Sequence, residues 1–166
     1  IARTMDREQK HMAEVIWAAS EHQGTSFIEI YQNCNIFNDK AFATLTDKET
    51  KLTSRLILED GKPMLYGPDN NFGIILDGLS LKAVEIGKNY SSDDILIHNV
   101  KDKNLASLIS EMTYNEKLPV PIGIFYKEEK PTYENMMDAQ IKDAISRKGK
   151  PDIQTLINGF ENWEVK

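Results

Sequence analysis

The segment from Thr25 to Tyr31 is the feature of this sequence that most constrains its fold. Apolar residues fill most of its positions, which is typical of a strand covered on both faces within an α/β layer. The segment ends shortly before Cys34, the only cysteine of the chain. Because open α/β sheets bind ligands at the carboxyl ends of their strands, this position predicts a site at Cys34.

The residues that precede this segment predict a strand and then a helix. Ala2 to Met5 has the composition of the end of a strand. Asp6 is expected to cap the helix, and Gln9 completes a capping box. Apolar residues recur at helical spacing until Gly24 ends the helix, at Met12, Val15, Ile16 and Ala19. A strand, a helix and a strand together form a βαβ unit with a right-handed crossover.

The middle of the chain predicts a small antiparallel lobe. Residues 38–60 are polar and expected to be largely helical. Short apolar segments then alternate with turn residues, which favours hairpins; the segments are Lys62 to Tyr66, Phe72 to Leu76, Leu81 to Ile86 and Ile95 to Ile97. Asn104 to Met112 has the spacing of an amphipathic helix. Pro119 to Tyr126 predicts a last strand, with its prolines near the start.

Two further helices are predicted after Pro131. They run from Tyr133 to Arg147 and from Asp152 to Trp163. Each carries an apolar stripe that we expect to be buried, against the lobe or against a partner chain. The sequence therefore predicts an α/β fold: a βαβ unit, an antiparallel β lobe and terminal helices.

Composition excludes several classes of function. The chain has 20 Lys and Arg against 26 Asp and Glu, a net charge of −6, which opposes binding to nucleic acid. No apolar run is close in length to the stretch of about 18 residues that a membrane-spanning helix needs. The first residues also lack the pattern of a signal peptide. We expect a soluble, cytoplasmic protein without a membrane partner. Because the sequence begins in a strand at Ile1 rather than at a methionine, we also expect it to be a piece of a longer polypeptide.

The motifs predict no catalytic residue and no cofactor-binding residue in this chain. His11, His22 and His98 lack the spacing of a zinc site, and no glycine-rich phosphate loop is present. Asp93-Asp94 is interpreted as a turn or cap. The residues alone leave two other interpretations of Cys34 open. It could be a small buried hydrophobic residue, or a nucleophile activated by a neighbouring histidine.

Three stretches carry a resemblance to one enzyme family. They are Ala2-Arg3-Thr4-Met5-Asp6-Arg7, then Gly24 to Asp39 with Tyr31-Gln32-Asn33-Cys34 and Phe37-Asn38-Asp39, then Pro119 to Glu134 with Pro121-Ile122-Gly123-Ile124-Phe125. They resemble the C-terminal half of the beta (thiamine-diphosphate-binding) subunit of 2-oxoacid:ferredoxin oxidoreductases, most of all the 2-oxoglutarate-specific branch. The resemblance implies that residues 1–37 end the thiamine-diphosphate-binding domain. Residues 38–166 then form a C-terminal extension with β-hairpins and helices.

The resemblance also implies a role for Cys34. It would be the last of four thiolates on a [4Fe-4S] cluster, whose other three ligands come from the N-terminal half. The parent enzyme would use thiamine diphosphate and Mg2+ besides the cluster. Because the family's motif for thiamine diphosphate does not occur in this sequence, we expect the isolated chain to hold no cofactor and to be inactive.

The implied reaction is the coenzyme A-dependent oxidative decarboxylation of 2-oxoglutarate to succinyl-CoA, with reduction of ferredoxin. The expected partners are the alpha subunit, ferredoxin, 2-oxoglutarate and coenzyme A. Two alternatives stay open. The parent enzyme could act on pyruvate or branched 2-oxoacids, or the chain could be a non-catalytic assembly or binding module with the same fold.

Overall fold

The chain divides into two compact units. The computed structural model describes residues 1–160 and Trp163. The first unit comprises residues 1–22 and 26–129, and the second comprises residues 23–25 and the chain from residue 130 onwards. The predicted boundary after residue 37 concerns the domains of the parent subunit and stays a prediction.

The first unit contains seven strands and four helices. In chain order they are β1 (Ala2–Met5), α1 (Gln9–Ser20), β2 (Ile28–Tyr31), α2 (Ala43–Thr46), α3 (Lys51–Ser54), β3 (Arg55–Leu58), β4 (Leu65–Tyr66), β5 (Phe72–Asp77), β6 (Ser80–Glu85), α4 (Lys103–Glu111) and β7 (Val120–Ile124). Short 3-10 turns cover Ser92–Asp94 and Met112–Tyr114. The predicted α/β architecture, with its antiparallel lobe and terminal helices, is confirmed.

Four strands form a mixed sheet in the order β2-β1-β7-β3. β1 and β2 are parallel, with Ala2 opposite Ile28 and Met5 opposite Tyr31, so the predicted βαβ unit is confirmed. β2 begins later than the predicted Thr25. It was expected to be covered on both faces, but it is the edge strand of the described sheet, and Phe27 and Ile30 are exposed. The apolar run thus predicted the strand correctly and its surroundings wrongly.

The predicted capping box at the start of α1 is wrong. Glu8 occupies the N-cap position, and no side chain caps the helix. The Asp6 carboxylate instead accepts the backbone N–H of Asn33 at 3.4 Å. Asp6 is drawn to the loop after β2 because β1 and β2 end side by side, where the Asp6 N–H donates to the Tyr31 carbonyl.

Residues 38–60 also differ from the prediction. Two single-turn helices, α2 and α3, lead directly into β3, which pairs in parallel with β7. No local pattern indicated this strand, because the residues around it are mostly polar and its pairing partner lies more than sixty residues away in the chain. The pairing demands a glycine in β7. Gly123 has φ +121°, and a Cβ there would lie 2.6 Å from the Leu58 carbonyl oxygen.

A three-stranded antiparallel sheet, in the order β4-β5-β6, forms the predicted lobe. This sheet, β3, α4 and the residues that follow α4 and β7 contribute to one hydrophobic core. The buried residues of this core are Leu56, Leu58, Met64, Ile74, Leu81, Ile109, Met112 and Phe125. The predicted strand at Ile95 to Ile97 is wrong, because its pairing is limited to an isolated bridge from Ile97 to Pro63 and single backbone hydrogen bonds that join Leu96 to Met64 and to Ile74. The predicted helix α4 is confirmed, and the Asp102 side chain caps it.

The second unit consists of the helices α5 (Tyr133–Lys148) and α6 (Ile153–Asn158). The Thr132 hydroxyl caps α5, and the Asp152 carboxylate caps α6. Both helices are confirmed, although α6 ends before the predicted Trp163, and residues 161 and 162 of that prediction lie outside the described residues. Neither helix buries a side chain in the described chain, and the expected burial of their apolar stripes against a partner chain stays a prediction. Among the described residues, no helix has the length and apolar character needed to cross a membrane.

Candidate cysteine site

Cys34 lies at the carboxyl edge of the two parallel strands β1 and β2. It follows β2 by a few residues, in the segment that we call the Cys34 loop, residues 33–40. The Asn38 N–H donates to the Cys34 carbonyl oxygen at 2.9 Å, and the two residues form an antiparallel bridge. The structure therefore places Cys34 at the end of the sheet where ligands bind in α/β folds.

The side chain of Asn33 joins the two ends of this loop. Its carbonyl oxygen accepts the Lys40 N–H at 2.8 Å. Its amide nitrogen donates to Asn35 Oδ1 at 2.7 Å and to Asp39 Oδ1 at 3.1 Å. Asn33 stands in the motif Tyr31-Gln32-Asn33-Cys34, but no structural role was predicted for it. The signal for it is weak, since an asparagine beside a turn is common and its partners depend on the path of the loop.

The thiol of Cys34 is partly exposed, so the interpretation as a buried hydrophobic residue is wrong. The backbone N–H groups of Phe37, Ile36 and Asn38 hold the pKa of this thiol below its usual value. A lower pKa raises the thiolate fraction, and the thiolate is the form that binds metals. These N–H groups therefore stabilise the thiolate relative to the thiol.

The histidines do not support a nucleophilic role for Cys34. His11 Nδ1 bonds to the Thr4 hydroxyl, and burial lowers the pKa of this imidazole. His22 contacts Ser26 and the Glu128 carbonyl oxygen. His98 is buried, and its Nε2 lies 2.7 Å from the Ile124 carbonyl oxygen. Within residues 1–160 and Trp163, no hydrogen bond links a histidine to the sulfur, so a base for this chemistry is missing there.

The surroundings of the sulfur combine apolar and polar groups. Ile36 is 84% exposed and Phe37 is 89% exposed. Beside the loop lies a cleft of about 390 Å³, whose wall includes Asp6, Arg7, Asn33, Asn35, Asp39, Lys40 and Asp47. A thiolate with neighbouring N–H donors fits one corner of an iron–sulfur cluster, because N–H bonds to sulfur stabilise such clusters and adjust their potential.

This chain would provide one ligand and no more from its described part. In that part, no three His, Cys, Asp or Glu side chains converge as a metal site. A [4Fe-4S] cluster takes four thiolates. The prediction for Cys34 therefore requires other polypeptide to provide the rest, and it stays a prediction.

Partly buried contacts of Arg3 and Tyr31 hold the strands that carry the site. The Arg3 guanidinium donates to the Glu29 carboxylate at 2.6 Å and to the Thr113 hydroxyl at 2.7 Å. It also lies over the ring of Tyr31, 5.0 Å from the centroid, which is a cation–π contact. Tyr31 also stacks on Phe42, with ring centroids 4.4 Å apart. These contacts hold the end of β2, after which the Cys34 loop begins.

A second charged group lies at the start of α1. The Arg55 guanidinium donates to Glu8 at 2.7 Å, and the Lys51 ammonium donates to the same oxygen at 3.4 Å. Burial raises the pKa of the Glu8 carboxyl, but the two cations outweigh burial and hold the pKa below its ordinary value. Glu8 therefore connects α1 to α3 and β3.

The chain is similar to a known oxidoreductase subunit. It is 27% identical over 169 residues to the 2-oxoglutarate oxidoreductase subunit KorB of Mycobacterium tuberculosis (strain ATCC 25618 / H37Rv). The alignment covers 99% of this chain and 45% of that protein, so the chain spans less than half the length of the curated relative. No family model matches the chain, and no solved structure matches it. The similarity confirms the resemblance that the sequence motifs predicted.

Proposed function

We propose that this chain is part of the beta subunit of a 2-oxoglutarate:ferredoxin oxidoreductase, in which Cys34 is one of four ligands of a [4Fe-4S] cluster. The observation that carries the proposal is the partly exposed Cys34 in a closed loop at the carboxyl edge of β1 and β2. The similarity to the mycobacterial 2-oxoglutarate oxidoreductase subunit supports the enzyme class.

The proposed enzyme converts 2-oxoglutarate and coenzyme A to succinyl-CoA and CO2, and it passes the electrons to ferredoxin. Thiamine diphosphate with Mg2+ would supply the decarboxylation chemistry, and the cluster would supply the electron path. The part played by this chain is to hold the Cys34 thiolate and to direct N–H groups of its loop at the sulfur. The proposed enzyme is cytoplasmic.

The alpha subunit is the proposed partner of the terminal helices. The apolar side chains of α5 include Met136, Met137, Ile141 and Ile145, and all of them are exposed. Exposed apolar surface of this kind is typical of a subunit contact. In the proposal, these helices therefore face the alpha subunit, and ferredoxin binds elsewhere on the assembled enzyme.

Replacing Cys34 in the whole enzyme tests the cluster role. With both subunits produced together, Cys34→Ser should lower the iron content and abolish most 2-oxoglutarate-dependent reduction of viologen, because a hydroxyl is a poor ligand for iron. Gln32→Ser is the matched control, since Gln32 is exposed in the same segment and lies outside the Cys34 loop. Unchanged iron and full activity in Cys34→Ser would refute the proposal.

The same preparation separates the alternatives. Turnover compared on 2-oxoglutarate, pyruvate and a branched 2-oxoacid identifies the substrate class. A preparation that contains no iron and reduces no acceptor with any of the three would favour a non-catalytic binding module.

A further inference from the structure

Hydrogen bonds of Asn33 hold the Cys34 loop together. The side chain of Asn33 makes three hydrogen bonds within the loop, to the Lys40 N–H, to Asn35 Oδ1 and to Asp39 Oδ1. The backbone N–H of Asn33 makes a fourth, to the Asp6 carboxylate at the end of β1. One residue therefore connects the loop's start, its far end and the neighbouring strand.

The bond to Lys40 holds an uncommon backbone conformation. Lys40 has φ +62°, in the left-handed backbone region that residues other than glycine and asparagine rarely adopt. Such a conformation persists when surrounding bonds determine it. The 2.8 Å bond from the Lys40 N–H to Asn33 Oδ1 is the bond that restrains this residue's amide.

Closure of the loop has a consequence for Cys34. With Asn33 and Lys40 joined, the intervening chain turns back, and the Asn38 N–H meets the Cys34 carbonyl oxygen. This turn begins at Cys34 itself, so closing the loop restrains the backbone that carries the sulfur. Asn33 does not touch the sulfur, so its effect on Cys34 would be indirect.

We propose that Asn33 is a positioning residue that closes the Cys34 loop and so fixes the backbone turn of residues 34–38, which carries the sulfur, before any iron binds. The inference rests on the proposed function, in which this sulfur is an iron ligand. Asparagine suits the task because its side chain both accepts and donates. Aspartate keeps the acceptor for Lys40 but donates to neither Asn35 nor Asp39.

Hydrogen exchange of the chain itself is the first test. In Asn33→Ala, the amide of Asn38 should lose most of its protection, although Asn33 makes no bond to that amide. In Asn33→Asp, the Lys40 amide should stay protected because the acceptor oxygen remains. Gln32→Ala is the control, and the amides of β1 and β7 report in every variant whether the sheet is intact.

The reactivity of the sulfur is the second test. Since Cys34 is the only thiol, alkylation by iodoacetamide at one neutral pH reports on it alone. Asn33→Ala should change the rate several-fold in the folded chain, because the turn that carries the sulfur is then no longer held in one conformation and its access to the reagent changes. It should leave the rate in 8 M urea unchanged, a concentration at which most small domains are unfolded.

In the whole enzyme, Asn33→Ala should retain iron but shift the reduction potential of the cluster, because N–H bonds to sulfur adjust it. Native exchange of the Asn38 amide together with a native alkylation rate in a folded Asn33→Ala chain would overturn the proposal. Failure of Cys34→Ser to lower iron would overturn the cluster role instead. The exchange and alkylation results would then still decide how the loop is held.

Discussion

The helices α4 and α5 show how similar local signals lead to different surroundings. Both begin at a side-chain cap, Asp102 in α4 and Thr132 in α5, and both carry recurrent apolar residues. In α4, Ile109 is completely buried in the core of the first unit. In α5, Ile141 is 51% exposed. Caps and spacing thus determine where a helix forms, whereas burial depends on what the rest of the chain, or another chain, brings to its apolar face.

The largest expected difference between the two helices comes from truncating these isoleucines. Ile109→Ala should lower the free energy of unfolding by about 2–5 kcal/mol, because it leaves a cavity in a closed core. Ile141→Ala should change it by less than about 0.5 kcal/mol, because the side chain is largely solvated. Urea unfolding followed by circular dichroism measures both. A large loss in Ile141→Ala would mean that α5 is covered in solution and would remove the contrast.

Two glycines extend the contrast from side chains to the backbone. Gly123 in β7 and Gly149 after α5 both have positive φ, +121° and +82°. An added Cβ at Gly123 meets the Leu58 carbonyl oxygen, whereas at Gly149 it meets nothing within 4 Å. Gly123→Ala should therefore cost about 3 kcal/mol, from overpacking together with strain. Gly149→Ala should cost less, about 1–2 kcal/mol, from strain alone, because φ +82° with ψ 176° is a region that essentially only glycine adopts.

Chemical denaturation of the two alanine variants tests this pair, with the exchange of β3 and β7 amides as a local readout. Equal losses at the two positions would show that conformational strain dominates at Gly123. They would also show that β3 and β7 separate enough to accept a methyl group.

The same division between local and distant causes explains what the sequence could predict. The βαβ unit, α4 and α5 follow from spacing and caps, which neighbouring residues determine. β3 was missed because its partner β7 is far away in the chain. Asp6 was wrongly given the cap of α1, since its actual partner, the Asn33 amide, becomes adjacent only when β1 and β2 pair.

The candidate site shows the same limit. The position of Cys34 at the end of a strand was predictable from the apolar run before it. The hydrogen bonds of Asn33 were not, because their partners meet only when residues 33–40 turn back and Lys40 adopts a positive φ. Likewise, nothing in the spacing of Phe27 and Ile30 distinguishes a central strand from the exposed edge strand that β2 forms here.

The smallest expected effect concerns two ion pairs, one in each unit. In the first unit, Arg55 is buried, and it pairs with Glu8, whose carboxyl pKa lies below its ordinary value of 4.5. A carboxyl with a lowered pKa in the folded state stabilises the fold fully above its unfolded pKa. This stabilisation is lost as the pH falls through the folded pKa. In the second unit, Arg147 pairs with Asp143 on the exposed surface of α5, where such pairs contribute little.

Glu8→Gln should therefore lower stability at neutral pH and flatten its decline below about pH 4.5. Asp143→Asn is the matched control, and we expect it to leave both the neutral stability and the acid decline close to those of the original chain. Urea midpoints measured from pH 7 down to pH 3 give the two curves. If Glu8→Gln kept the full acid decline, the cations at Glu8 would be too well solvated to act on it, and this ion pair would resemble the surface pair of α5.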